Sequence, residues 1–161
     1  DAYENSKQIT GNEMIVIRFK GDVPSVYLII HILFIFAGML LSNVTGLLAL
    51  FKEKQYLKLS LYTVIALFIG GLVFGPIVQK YAFGVYWSGF PFGTDLTDNK
   101  LLIAFLFWLF AWWFNRKKTR YYLIIIAAIV LIATYAIPHS TMGSEYDYET
   151  GKVGTSREFR L

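Results

Sequence analysis

Four apolar runs, at about 23–51, 59–79, 98–114 and 120–138, constrain this chain more than any other feature, because each approaches or exceeds the length of a membrane-crossing helix. The first would extend roughly 43 Å as one helix against a hydrocarbon core of about 30 Å, so it must tilt, protrude or break. Ser42, Asn43, Thr45 and Gly46 interrupt it and mark either a break or a helix contact through small hydroxyl side chains. The second run carries Ala66, Gly70, Gly71 and Gly75, a spacing that lets helix backbones approach closely, and Pro76 is expected to kink or loosen its last turn. For Gly70, Gly71 and Gly75, packing within the bundle is preferred to homodimerisation. The third run is short, with Thr97 or Asp98 as its expected cap. It ends on Trp108, Trp112 and Trp113, an aromatic belt beside Arg116, Lys117 and Lys118. The fourth is almost wholly Leu, Ile and Ala and stops at Pro138. The expected fold class is an all-α membrane protein with four transmembrane helices.

Composition agrees. At 56% hydrophobic and 18% aromatic residues, 161 residues are too apolar for one soluble domain. The net charge of +4 does not point to nucleic acid, because its basic residues gather in two short loops beside apolar runs. Lys52, Lys54 and Lys58 fall in one loop and Arg116, Lys117, Lys118 and Arg120 in the other, against Glu53 alone, so both loops are expected in the cytoplasm. The 80–99 loop and both chain ends then face the other side. With no cysteine, disulfides, thiolate-held clusters and Cys-containing zinc sites are excluded.

Residues 1–22 read as an extracytoplasmic segment. They lack the basic start and apolar core of a signal peptide. From Glu13 to Lys20, Ile15, Ile17 and Phe19 alternate with Val16, Arg18 and Lys20, which predicts a half-buried β-strand. A lone strand is not stable, so this one is expected to close an upstream β domain or to join another subunit's sheet. The membrane domain then covers 23–139, and 140–161 is an extracytoplasmic tail.

The 80–99 loop is where partners are expected. Tyr81, Phe83, Tyr86, Trp87, Phe90 and Phe92 alternate with glycines, a pattern that predicts a packed lid folded over the bundle mouth. Such a lid is either an interfacial aromatic cap or a docking surface for a partner, lipid, quinone or cofactor. Asp95, Thr97, Asp98 and Asn99 precede the third helix and most economically cap it. The sharper alternative adds Glu145 and Asp147 to make an oxygen-rich cation site. His31, inside the first helix, and His139, at the boundary, are the chain's histidines. A hydrogen-bonded structural His31 is expected. Haem b between the two histidines is the alternative, although their unequal depth opposes it. No nucleophile–base arrangement, Walker loop, dinucleotide fingerprint or His-Glu-x-x-His is present. No charged residue lies in the interior of an apolar run, which disfavours ion transport.

At Gly75-Pro76-Ile77-Val78-Gln79-Lys80-Tyr81-Ala82-Phe83-Gly84, at Trp87-Ser88-Gly89-Phe90-Pro91-Phe92-Gly93-Thr94-Asp95-Leu96-Thr97-Asp98-Asn99-Lys100, and at Ile137-Pro138-His139-Ser140 with Gly143-Ser144-Glu145, the chain resembles a bacterial family of uncharacterised membrane proteins. The likeness begins at the Phe19-Lys20-Gly21-Asp22-Val23-Pro24 junction. It implies a periplasmic β-sandwich ahead of four helices in the bacterial inner membrane. It carries no catalytic role. The expected function is therefore a non-catalytic membrane anchor or accessory subunit, in contact with the lipid bilayer and with other membrane-protein subunits. A redox subunit binding haem b or quinone near His31 and His139 is second, and solute transport third.

Overall fold

The computed structural model describes residues 21–93 and 95–137, together with the backbone of 144–147 and 152–155. Among the described residues there are four helices: α1 (Ser25–Leu50), α2 (Tyr56–Phe83), α3 (Leu96–Asn115) and α4 (Tyr121–Ala136). Helix α1 packs on α2 and α4, and α3 packs on the same two, so the helices close a ring in chain order. The turns at 51–55 and 116–120 meet at one end, where the Tyr121 hydroxyl donates to the Lys52 carbonyl at 3.3 Å. The 84–95 loop and the chain entry lie at the other, where the Gly21 amide donates to the Ala82 carbonyl at 2.8 Å. Strands β1 (Ser144–Asp147) and β2 (Lys152–Thr155) form an antiparallel hairpin with Ser144 opposite Thr155. Apart from this hairpin, the described chain is helical. The strand expected at 13–20 lies outside the described residues.

Helices α1 and α2 are long and apolar enough to cross a membrane. Their packing is inverted relative to a helix in water. Helix α1 runs unbroken through Ser42 and Thr45, and the residues it buries are Gly38, Ser42, Thr45 and Ala49, spaced four, three and four apart along one face. Its large side chains, among them Ile29, Leu33, Phe36, Leu40 and Leu47, point away from the bundle. Only 11% of its most apolar stretch is buried. A water-soluble amphipathic helix would bury the large residues and expose the small ones. Between helices in lipid, where association brings no hydrophobic gain, close backbone contact takes over and small residues line the contact. Thr45 satisfies its own hydroxyl by donating to the Leu41 carbonyl at 2.6 Å.

Helix α2 extends beyond its expected end at 79, through Pro76 to Phe83, because the chain changes pitch. Residues Phe68–Phe74 form a π-helical segment, in which the Gly75 amide reaches back to the Gly70 carbonyl. Proline then opens the following α-helical stretch, at a first-turn position where its missing N–H leaves no bond unmade. Helix α4 stops at Ala136, short of its expected end at 138, because Ile137 takes an extended backbone before Pro138. The cap of α3 is Asp95, upstream of the expected Thr97 or Asp98; its Oδ1 accepts the amides of Thr97 at 2.7 Å and Asp98 at 3.1 Å.

Trp108 differs from its expected place in an interfacial belt. It shares a face with Ala104, Phe105 and Ala111 and is fully buried in the core with Leu67, Ile124 and Leu131. Trp112 and Trp113 do lie at the helix end, under the Arg116 guanidinium at 5.1 and 5.3 Å.

Gly70 is the tightest backbone approach among the α2 glycines. A Cβ there would meet Phe34 Cβ at 2.8 Å and the Ile35 amide nitrogen at 3.0 Å, both attached to the α1 backbone. A Cβ at Gly71 would instead meet the tip of the Leu101 side chain on α3 at 2.9 Å, which can rotate away. Gly75 sits beside the His31 ring, with room for a Cβ at ordinary contact distance, 3.8 Å. Gly70→Ala is therefore expected to destabilise the bundle by about 1–3 kcal/mol and Gly71→Ala by less. Melting temperatures in detergent check this, and an equal or reversed ranking contradicts it.

Candidate functional site

The 84–95 loop is built around polar groups supplied by the first turn of α3. Asp98 is buried, and its Oδ2 accepts from the Ser88 amide at 2.7 Å, the Gly89 amide at 3.1 Å and the Ser88 hydroxyl at 3.2 Å. The Ser88 hydroxyl in turn accepts from Gln79 Nε2 at 2.5 Å, so α2 is tied through the loop to α3. Asn99 Oδ1 accepts the Phe90 amide at 2.6 Å. The Asp95 amide donates to the Ser88 carbonyl at 3.0 Å. Gly89 is required here, because a Cβ would fall 2.7 Å from Asp98 Cβ and 2.8 Å from Asn99 Oδ1. Hydrogen bonds to a charged group contribute about 1.5–3 kcal/mol each, so this carboxylate organises the whole loop.

With Ser88 and Gly89 drawn inward, the aromatics turn out. Phe90 is 70% exposed, Phe92 83% and Tyr86 60%, and Tyr81 is exposed as well. Phe83 and Trp87 are half-buried, and the Trp87 indole N–H donates to the Phe90 carbonyl at 3.1 Å. The expected packed lid is thus corrected: the loop is closed by polar bonds on its inner side and presents its rings outward. Lys80 reinforces the entry, donating to the Gly84 carbonyl at 2.5 Å with its ammonium 5.4 Å from the Tyr86 ring centroid.

Two polar residues not singled out from the sequence complete this end. Gln79 is buried as described. Lys100 is buried too, its ammonium donating at 2.8 Å to the carbonyl of Ile137, which ends α4. A lysine in the first turn of an apolar helix was the available signal, since such a charge needs a nearby acceptor.

His31 Nδ1 lies 2.8 Å from the Gly70 carbonyl oxygen. A carbonyl only accepts, so Nδ1 is the donor, and Nε2 takes no part in this contact. The bond uses a backbone oxygen inside the π-helical segment, where pairing has slipped by one residue. Farther along the bundle the Tyr135 hydroxyl donates to the Ile35 carbonyl at 3.2 Å, joining α4 to α1. His139 and the side chains of Glu145 and Asp147 lie outside the described residues. Among the described residues no three His, Asp or Glu side chains converge as metal ligands would. The structure brings Asp95, Asp98 and Asn99 together, and their oxygens take backbone amides.

No family model, curated protein or solved structure matches this chain.

Asp98→Ala leaves three donors without their acceptor and is expected to cost several kcal/mol, on the order of 1–3 per group. Asp98→Asn keeps an oxygen where Oδ2 stands and is expected to cost much less. Limited proteolysis within 86–93, read beside the melting temperature, checks the order. Equal protection of both variants contradicts it.

Proposed function

We propose that the chain is a four-span membrane protein that acts as a non-catalytic anchor or accessory subunit, offering the 84–95 loop to another membrane-protein subunit. The observation that carries this reading is the pairing of exposed Phe90 and Phe92 with a loop backbone fixed by Asp98 and Asn99. A loop backbone already fixed loses little freedom on binding, which suits its large rings as anchors in a partner's apolar pocket.

Four spans are supported by the outer faces of the two helices that composition and length leave open. Ile103, Phe107 and Phe110 of α3 and Ile126, Ile129 and Ile132 of α4 all face away from the bundle. Six such side chains on two neighbouring helices make an apolar surface that water would not tolerate. Helix α4 reaches roughly 24 Å by itself, and exposed Trp113 and Tyr122 suit the interface at its lower end. The basic turns at 51–55 and 116–120 support a cytoplasmic placement, with the 84–95 loop on the opposite side. Resemblance adds the bacterial inner membrane and a β domain joined ahead of α1. The second reading, haem b or quinone, retains one observation: the His31 contact with Gly70 uses Nδ1 and not Nε2.

Single cysteines at Phe92 and Lys118, both exposed, test orientation in intact cells. Labelling of 92 and not 118 by an impermeant thiol reagent is expected, and the reverse overturns the orientation. Phe90→Ala with Phe92→Ala should reduce partner co-purification about tenfold or more, as loss of two anchoring rings would, while Ile129→Ala leaves it unchanged. Equal retention contradicts the docking role. A stoichiometric Soret band lost in His31→Gln would replace the accessory reading with the redox one.

A further inference from the structure

The opposite end of the bundle holds a feature that anchoring does not use. Between the 51–55 and 116–120 turns lies a basin of about 390 Å³ lined by Lys54, Arg116, Lys117 and Lys118 together with Tyr56, Asn115 and Thr119. Among the described residues no carboxylate lines it, Glu53 of the same turn included. Topology needs basic residues near this end of the bundle, but it does not need them gathered around one cavity, where they repel one another.

The floor is built and the rim is free. Asn115 and Tyr56 are buried, and the Tyr56 hydroxyl donates to Asn115 Oδ1 at 3.2 Å. Asn115 also accepts the Arg120 amide at 2.7 Å and donates to the Ala111 carbonyl at 2.8 Å, so it holds the end of α3 against the start of α4. The rings of Tyr56 and Tyr121 meet at 4.9 Å across the same junction. Above this floor the three lysines are exposed, and Arg116 is steadied over Trp112 and Trp113. Helices α2 and α4 both begin at the basin's edge, and neither has a side-chain cap or an acidic residue in its first turn. Their positive ends therefore add to the field of the four cations and are not offset by it.

We propose that this basin binds a phosphate-bearing anion. A guanidinium with a planar donor fork, three mobile ammonium groups and a hydroxyl from Thr119 match the oxygens of a phosphate mono- or diester. The volume exceeds what one phosphate fills and leaves room for a polar headgroup. Beside it, exposed Trp113, Phe114 and Tyr122 offer apolar surface along which acyl chains could lie. A phospholipid headgroup and a free phosphate share this chemistry, and the test separates them.

The full chain in non-ionic detergent is titrated with short-chain phosphatidylglycerol, short-chain phosphatidylcholine and inorganic phosphate, read by tryptophan fluorescence from Trp112 and Trp113. Saturable binding of phosphatidylglycerol well above phosphatidylcholine is expected, weakening as salt is raised. Lys54→Ala combined with Lys117→Ala should weaken it about 25-fold, at about fivefold per cation. Both side chains are exposed, so the variant loses no core contact. Lys58→Ala is the control: it removes the same charge nearby, from a lysine that lies over the Tyr62 ring and not in the basin lining. It should change affinity less than about twofold, since only screened long-range attraction is lost. If inorganic phosphate saturates the site with the same dependence on Lys54 and Lys117, the source is a soluble phosphate. If phosphatidylglycerol alone does, it is the lipid. Binding no tighter than phosphatidylcholine for both probes, or equal weakening by the double variant and Lys58→Ala, overturns the proposal.

Discussion

The close approach of α2 to α1 at Gly70 is the contact on which the rest of the bundle depends. A helix backbone comes this near to another only where a side chain is missing, and here a Cβ would stand 2.8 Å from that of Phe34. The same economy runs along α1, where Gly38, Ser42, Thr45 and Ala49 form the contact seam. Dispersion between closely spaced backbones then substitutes for the burial of large apolar side chains, which are free to face outward. Burying a polar group without a partner is costly, and in the middle of the bundle the Ser42 hydroxyl and the Trp108 indole N–H are the described side-chain atoms left so.

Polar side chains are accordingly handled at the two ends. At one, Asp98 and Asn99 gather loop amides, and Lys100 takes the Ile137 carbonyl just past α4. At the other, Asn115 joins α3 to α4 and receives the Tyr56 hydroxyl. Between them the interior polar contacts are local or go to backbone oxygens: Thr45 to Leu41, Thr63 to Leu59, His31 to Gly70. The π-helical segment belongs to the same pattern. It absorbs Pro76 without ending α2 and offers the Gly70 carbonyl to His31. With both ends tied by such bonds, one loop displays aromatic rings and the opposite turns hold cations around a basin.

Much of this is legible in the sequence, for identifiable reasons. The four helices follow from long apolar runs, a signal that survives any tertiary arrangement and, in α1, the polar interruption at Ser42 and Thr45. The small-residue spacing at Gly70 and Gly71 is local and readable, yet which partner each meets, backbone or a movable Leu101, depends on helix rotation. The π-helical segment of α2 and its continuation from 79 to Phe83 were hidden because a one-residue slip in hydrogen bonding leaves no compositional mark. Trp108 looked interfacial beside Trp112 and Trp113, and only its face, shared with Ala104 and Ala111, places it in the core. The outward turn of Phe90 and Phe92 depends on Asp98 and Asn99, which look like cap residues until the loop is seen folded onto them. The basin was beyond sequence reading altogether, since Lys54 and Lys117 meet only when the ring of helices closes.

The central claim is that the large outward side chains of this bundle face lipid, including those of α4, the shortest of the four helices. Spin labels placed singly at Ile126, Ile129 and Ile132 in the bilayer-reconstituted protein test it most directly, through collision rates with molecular oxygen and with a water-soluble nickel chelate. The account predicts that oxygen reaches all three positions far more readily than the chelate, as in hydrocarbon. Free access of the chelate to them would contradict it.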